Sequence, residues 1–141
     1  MDRTDKDPLR EDRTLTHSSI LVADDEQLIR WSLRERLERA GFRVLEAENG
    51  KQALDHFQEG VDLVLLDLKL PDADGLLLLK KIKDHSPSQP VILMTAFGTQ
   101  ETVSEALRSG AYRVVDKPFD FDRMVRLVRE ALQPTSNPEL P

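Results

Sequence analysis

The chain carries 141 residues, 39% of them hydrophobic and 33% charged, with a formal net charge of −6, a balance that suits one soluble domain built on a single core. The absence of cysteine and the scatter of the three histidines, His17, His56 and His85, exclude thiol redox chemistry and a zinc site. Apolar runs such as 63–66 fall far short of the ~20 residues that cross a bilayer. The N-terminus has no apolar signal core, and the net negative charge disfavours phosphate backbones and anionic lipid, so the expectation is a cytoplasmic chain without membrane or direct nucleic-acid contact.

Residues 1–17 are polar and mixed in charge, too poor in large apolar groups to offset the entropy of ordering, and read as a flexible tail. Ser19-Ile20-Leu21-Val22-Ala23 then reads as a strand, followed by Ile29, Leu33, Leu37 and Ala40 at helical spacing. Gly41 stands where a left-handed cap ends a helix, and Phe42-Arg43-Val44-Leu45 opens a second extended segment. A short helix over about 51–58, with Ala53, Leu54 and Phe57 inward, stops at Gly60. Asp62-Leu63-Val64-Leu65-Leu66 is nearly all apolar, as a parallel strand covered on both faces must be.

The second half continues the alternation. Residues 75–83 have helical spacing, and Pro90-Val91-Ile92-Leu93-Met94 supplies a fourth strand whose leading proline is tolerated. A helix over 99–108, ended by Gly110, has only Val103, Ala106 and Leu107 as apolar anchors and is expected to be weakly packed. Tyr112-Arg113-Val114-Val115-Asp116 is a fifth strand, and Met124, Leu127, Val128 and Ala131 mark the inner face of a last helix. Three prolines among Ser, Thr and Asn in 133–141 read as an extended linker. Five βα units over 18–132 predict the α/β class: a doubly wound parallel sheet with helices on both faces and chemistry at the carboxyl ends of its strands.

Polar groups stand at those ends. Asp24 and Asp25 follow the first strand, Asp67 the third, Thr95 the fourth, and Lys117-Pro118 the fifth. Singly, each has an ordinary reading, as a helix cap, a dipole-complementing acid or a common dipeptide. Jointly, they bring several carboxylates to one point, where repulsion calls for a cation. Oxygen ligands without nearby cysteine or histidine favour Mg²⁺, with Mn²⁺ also suitable. With a metal and Lys117 to balance developing charge, Asp67 is the expected nucleophile toward phosphorus, Thr95 a hydrogen-bond donor to the phosphoryl group, and the loop Leu68-Lys69-Leu70-Pro71 a source of a backbone carbonyl ligand.

These pieces, Ile20-Leu21-Val22-Ala23-Asp24-Asp25-Glu26, Asp67-Leu68-Lys69-Leu70-Pro71-Asp72-Ala73-Asp74-Gly75, Met94-Thr95-Ala96 and Asp116-Lys117-Pro118-Phe119, closely resemble the receiver domains of bacterial response regulators over about 18–132. The resemblance implies a flavodoxin-like sheet in strand order 2-1-3-4-5 and phosphorylation of Asp67 by a sensor histidine kinase. It also implies Mg²⁺ on Asp25, Asp67 and the Lys69 carbonyl with Asp24 assisting, and a cis Lys117-Pro118 peptide. Ile29-Arg30-Trp31 and Thr95-Ala96-Phe97-Gly98 are similar to the NtrC-like group, which implies a following ATPase and DNA-binding domain and control of transcription; a longer protein and a stand-alone receiver both fit. Trp31 reads as a helix-face packing residue. The fourth and fifth helices suit either a homodimer face or a solvated one.

One departure stands out. Many receivers place an aromatic switch residue where this chain has Val114; Tyr112, on the same face by strand alternation, is a substitute or a packing residue. Phe97 and Lys69 are expected to flank the phosphoryl group and restrict water. The rival functions are a phosphorylation-independent interaction module, a haloacid-type phosphotransferase and a flavin carrier. The first usually lacks one of the site residues, the second wants an acid where Lys69 stands, and the third wants a phosphate-binding loop where Asp24-Asp25 stand.

Overall fold

The computed structural model describes residues 18–133. The tail expected over 1–17, and the linker expected over 133–141 beyond its first residue, lie outside the described residues. Five parallel strands form the main sheet: β1 (Ser19–Ala23), β2 (Arg43–Ala47), β3 (Leu63–Asp67), β4 (Val91–Thr95) and β5 (Arg113–Asp116), in the order β2-β1-β3-β4-β5. The helices between and after them are α1 (Gln27–Arg39), α2 (Gly50–Glu59), α3 (Gly75–His85), α4 (Gln100–Arg108) and α5 (Phe121–Leu132). The doubly wound α/β expectation and its strand order are borne out.

Two apolar layers hold the sheet. Leu21, Val64, Leu66 and Leu93 point to a cluster with Leu78, Leu79 and Ile82 of α3 and Ala53 of α2. Their neighbours Ile20, Leu65, Ile92 and Met94 point the other way, onto Leu33 and Leu37 of α1 and Met124 and Val128 of α5. This alternation explains why β3 is apolar at consecutive positions: both faces are covered. Burying each such Leu or Ile contributes roughly 1.5–3 kcal/mol of transfer free energy.

Local sequence sets the helix ends. Asn49, Asp74, Thr99 and Asp120 are N-caps whose side chains accept the amides of Gln52, Leu76, Thr102 and Asp122 respectively. Gly41, Gly60 and Gly110 adopt φ near +100°, where a side chain would be strained, and each follows the helix that sequence spacing ends there.

The inner face expected for α1 holds, with Leu33 and Leu37 buried and Ile29 and Ala40 packed against the same layer, and Arg30 is buried beside them. Trp31, read as a helix-face residue, is about half exposed, and Leu28 more so. In α4 only Ala106 is buried, while Leu107 remains 47% exposed. The weak packing expected for α4 is therefore more pronounced than its sequence indicated.

Candidate functional site

Sheet register assembles the site. Ala23 pairs with Leu66, Asp67 with Met94, and Thr95 with Asp116, so Asp24, Asp67, Thr95 and Lys117 emerge side by side at the carboxyl edge. Amide bonds from Leu68 to the Met94 carbonyl and from Lys117 to the Thr95 carbonyl, both 2.8 Å, carry the ladder one step into the loops. Asp67, Thr95 and Lys117 open onto one cavity, lined also by Asp25, Lys69 and Phe97.

Carboxylate oxygens of Asp24, Asp25 and Asp67 all lie within 4.8 Å of one another. Asp24 is fully buried and Asp67 is 5% exposed, whereas Asp25 faces the cavity mouth. Lys117 Nζ reaches into the cluster, 2.8 Å from Asp24 Oδ2, 3.1 Å from Glu26 Oε1 and 3.2 Å from Asp67 Oδ2. Asp24 Oδ2 has this ionic neighbour but no hydrogen-bond partner. One lysine thus serves three carboxylates, with Asp25 beside them, and a buried carboxylate oxygen is left incompletely satisfied. Such a donor set, oxygen only and partly open, fits a small hard divalent cation.

Electrostatics agree with that excess of negative charge. Burial, joined by the Asp24 charge, raises the Asp67 carboxyl from the ordinary 3.8 to about 6, against the opposing pull of the Lys69 amide and Lys117. For Lys117, burial alone would lower the pKa, but the neighbouring carboxylates of Asp24, Glu26 and Asp67 outweigh it and hold the ammonium well above its usual range.

The switch residues are less uniform. Thr95 is buried, and its hydroxyl accepts the Phe97 amide at 3.2 Å; it does not cap α4, a task Thr99 performs. Ala96 and Phe97 follow at the cavity edge, Phe97 being 87% exposed. The Lys117-Pro118 peptide is cis. Val114 packs toward α3 and α4, but Tyr112 lies in the opposite layer, with its hydroxyl 3.4 Å from Glu130 and Arg113 over its ring. Alternation fails there because β5 begins only at Arg113. Tyr112 therefore packs on the face opposite Val114.

Sequence reasoning missed three supporting residues. Glu26, named above only within the first-strand motif, shares Lys117 with the buried aspartates. Arg30 donates to the Asp24 carbonyl and to Glu46, both at 2.8 Å, and so ties the β1 end to β2. A charged residue on the apolar stripe of a helix was the available signal. Gly75 brings α3 against the acceptor strand: a Cβ there would lie 2.5 Å from the Asp67 carbonyl oxygen.

Residues 20–129 match the response regulator receiver domain family. The chain belongs to that family. Its receiver is 44% identical over 115 residues to the regulatory protein AtoC of Escherichia coli K12, covering 81% of this chain and 25% of that one. It is 39% identical over 124 residues to sporulation initiation phosphotransferase F of Bacillus subtilis, covering 87% of this chain and all of that one. Among solved structures, the beryllofluoride-activated NtrC4 receiver domain dimer superposes with a TM-score of 0.77 at 33% identity, covering 81% of this chain and 95% of that one. The receiver spans about a quarter of the length of AtoC, and its relatives place it in the NtrC-like group. Among the described residues no helix is long and apolar enough to cross a membrane.

Proposed function

We propose that this receiver, taken as residues 18–132, accepts a phosphoryl group on Asp67 from a sensor histidine kinase and passes the change to an output, by analogy with its relatives a transcriptional one. The observation that carries the reading is the convergence of Asp24, Asp25 and Asp67 within 4.8 Å, with Lys117 bonded to the acceptor. An Asp67 oxygen attacks phosphorus as the bond from phosphorus to the kinase imidazole nitrogen breaks, and the electron pair returns to that nitrogen. Lys117 holds the acceptor carboxylate and, as the bond forms, pairs with phosphoryl oxygens. Asp24, Asp25, Asp67 and the Lys69 backbone carbonyl would hold Mg²⁺, or Mn²⁺ in its place, which supplies the remaining charge neutralisation when bound.

The Thr95 hydroxyl, now held by its own loop, turns to donate to the phosphoryl group, and α4 follows as the least anchored neighbour. An ATPase and a DNA-binding domain, as in the NtrC-like group, are the proposed output partners. The NtrC4 neighbour was solved as a dimer, which supports self-association as part of the output. A cytoplasmic location follows from a kinase partner of this type.

Beryllofluoride, a phosphoryl mimic, tests the reading by ¹⁹F NMR. A bound resonance that requires both Mg²⁺ and Asp67, and disappears in Asp67→Asn, supports it; binding unaffected by that substitution refutes it.

A further inference from the structure

The loop between β3 and α3 closes on itself. Lys69–Leu70 and Ala73–Asp74 form a short antiparallel ladder, the Gly75 amide donates to the Leu68 carbonyl at 2.8 Å, and the buried Leu70 pins the loop to the core. Beyond these bonds, Asp72, exposed at the loop tip, reaches across to the first turn of α2. Its Oδ1 accepts the Gly50 amide at 2.7 Å and its Oδ2 the Lys51 amide at 3.2 Å.

Both amides belong to the open N-terminal turn of a helix, which has no partners of its own for them. The Asn49 cap serves a different amide, that of Gln52, so the two interactions are separable. The fit is close on the steric side as well: a Cβ on Gly50 would lie 2.7 Å from the Ala73 Cβ and 3.2 Å from Asp72 Oδ1. Gly50 is bare where the loop lands. The Gly50 amide also holds the Asp72 carboxyl below its ordinary pKa, so the contact is made by the charged form.

We infer that Asp72 is a positioning residue for the metal centre: docked on the first turn of α2, it holds the loop so that the Lys69 backbone stands at a ligand position beside Asp67. The inference rests on the proposed Mg²⁺ site. Asp72 touches neither metal nor phosphoryl group; it orients a residue that does, in the way outer partners orient the ligands of metal sites.

Titration of the full chain with Mg²⁺ alone, followed by backbone amide shifts, tests it. Asp72→Ala should raise the Mg²⁺ dissociation constant about tenfold. Gly50→Ala, which keeps the carboxylate but crowds its landing site, should act in the same direction. Asp72→Asn keeps an acceptor oxygen and should restore much of the affinity, while Asn49→Ala weakens the same helix end and should leave Mg²⁺ binding unchanged. Unchanged affinity in Asp72→Ala, with Asp67→Asn still abolishing binding, would overturn the positioning role and leave the metal site standing. An equal loss in Asn49→Ala would overturn it too, by tracing the effect to fraying of α2. Failure of the wild type itself to bind Mg²⁺ would overturn the metal site and this inference together.

Discussion

Lys117 Nζ donates to Asp67 Oδ2 at 3.2 Å while standing 2.8 Å from the fully buried Asp24. The acceptor carboxylate is therefore held beside a negative neighbour by one shared cation, a balance that divalent metal would tip and that acid perturbs.

The pH dependence of stability follows from the raised Asp67 carboxyl, about 6 against an ordinary 3.8. Between those values the folded chain holds a proton that the unfolded chain has lost, so stability falls as pH rises through that window. In metal-free protein, urea melts from about pH 4.5 to about pH 8 should show Asp67→Asn gaining on wild type as pH rises and levelling off above the folded value. Parallel curves would mean that Asp67 is not electrostatically stressed.

Gly75 is expected to be intolerant. An added methyl group 2.5 Å from the Asp67 carbonyl oxygen must displace backbone on one side or the other. Gly75→Ala should destabilise the fold by about 2 kcal/mol, within the usual range for overpacking, and should also impair beryllofluoride binding. Chemical denaturation and ¹⁹F spectra read the two effects separately.

The least anchored helix should report the switch. Ala106 is the one buried residue of α4, and a half-exposed ion pair, Glu105 with Lys80 of α3 at 2.8 Å, ties it to that helix. Hydrogen exchange over residues 97–115 should change on beryllofluoride binding while β1 and β3 remain protected. Equal protection in both states would argue against α4 as the moving element.

Phe97 and Lys69 edge the cavity, Phe97 almost wholly exposed above it. Replacing either with Ala should open a path for water and speed loss of the phosphoryl group, measured as decay of the phosphorylated mass after removal of the donor. An unchanged rate would show that neither side chain screens the acyl phosphate.

Much of this was legible in the sequence because the sheet is parallel and covered on both faces. Its strands announce themselves as apolar runs, and a polar residue at the end of such a run can only sit at the carboxyl edge; Asp24, Asp67, Thr95 and Lys117 were found that way. What sequence hid depends on partners far along the chain. Arg30 falls on an apolar stripe, but the two acceptors that make it tolerable, the Asp24 carbonyl and Glu46, meet it only when β1 and β2 pair. Tyr112 was assigned to the Val114 face by alternation, which holds within a strand and fails one residue before β5 begins. Leu107 matched a helical stripe that α4 does not bury.

The central claim, that Asp67 is a metal-dependent phosphoryl acceptor, is tested most directly by intact mass after incubation with phosphoramidate, with and without Mg²⁺. The account predicts a gain of one phosphoryl group that requires Mg²⁺ and is absent in Asp67→Asn. A folded wild type that gains nothing with Mg²⁺ present, or a gain that survives the loss of Asp67, would contradict it.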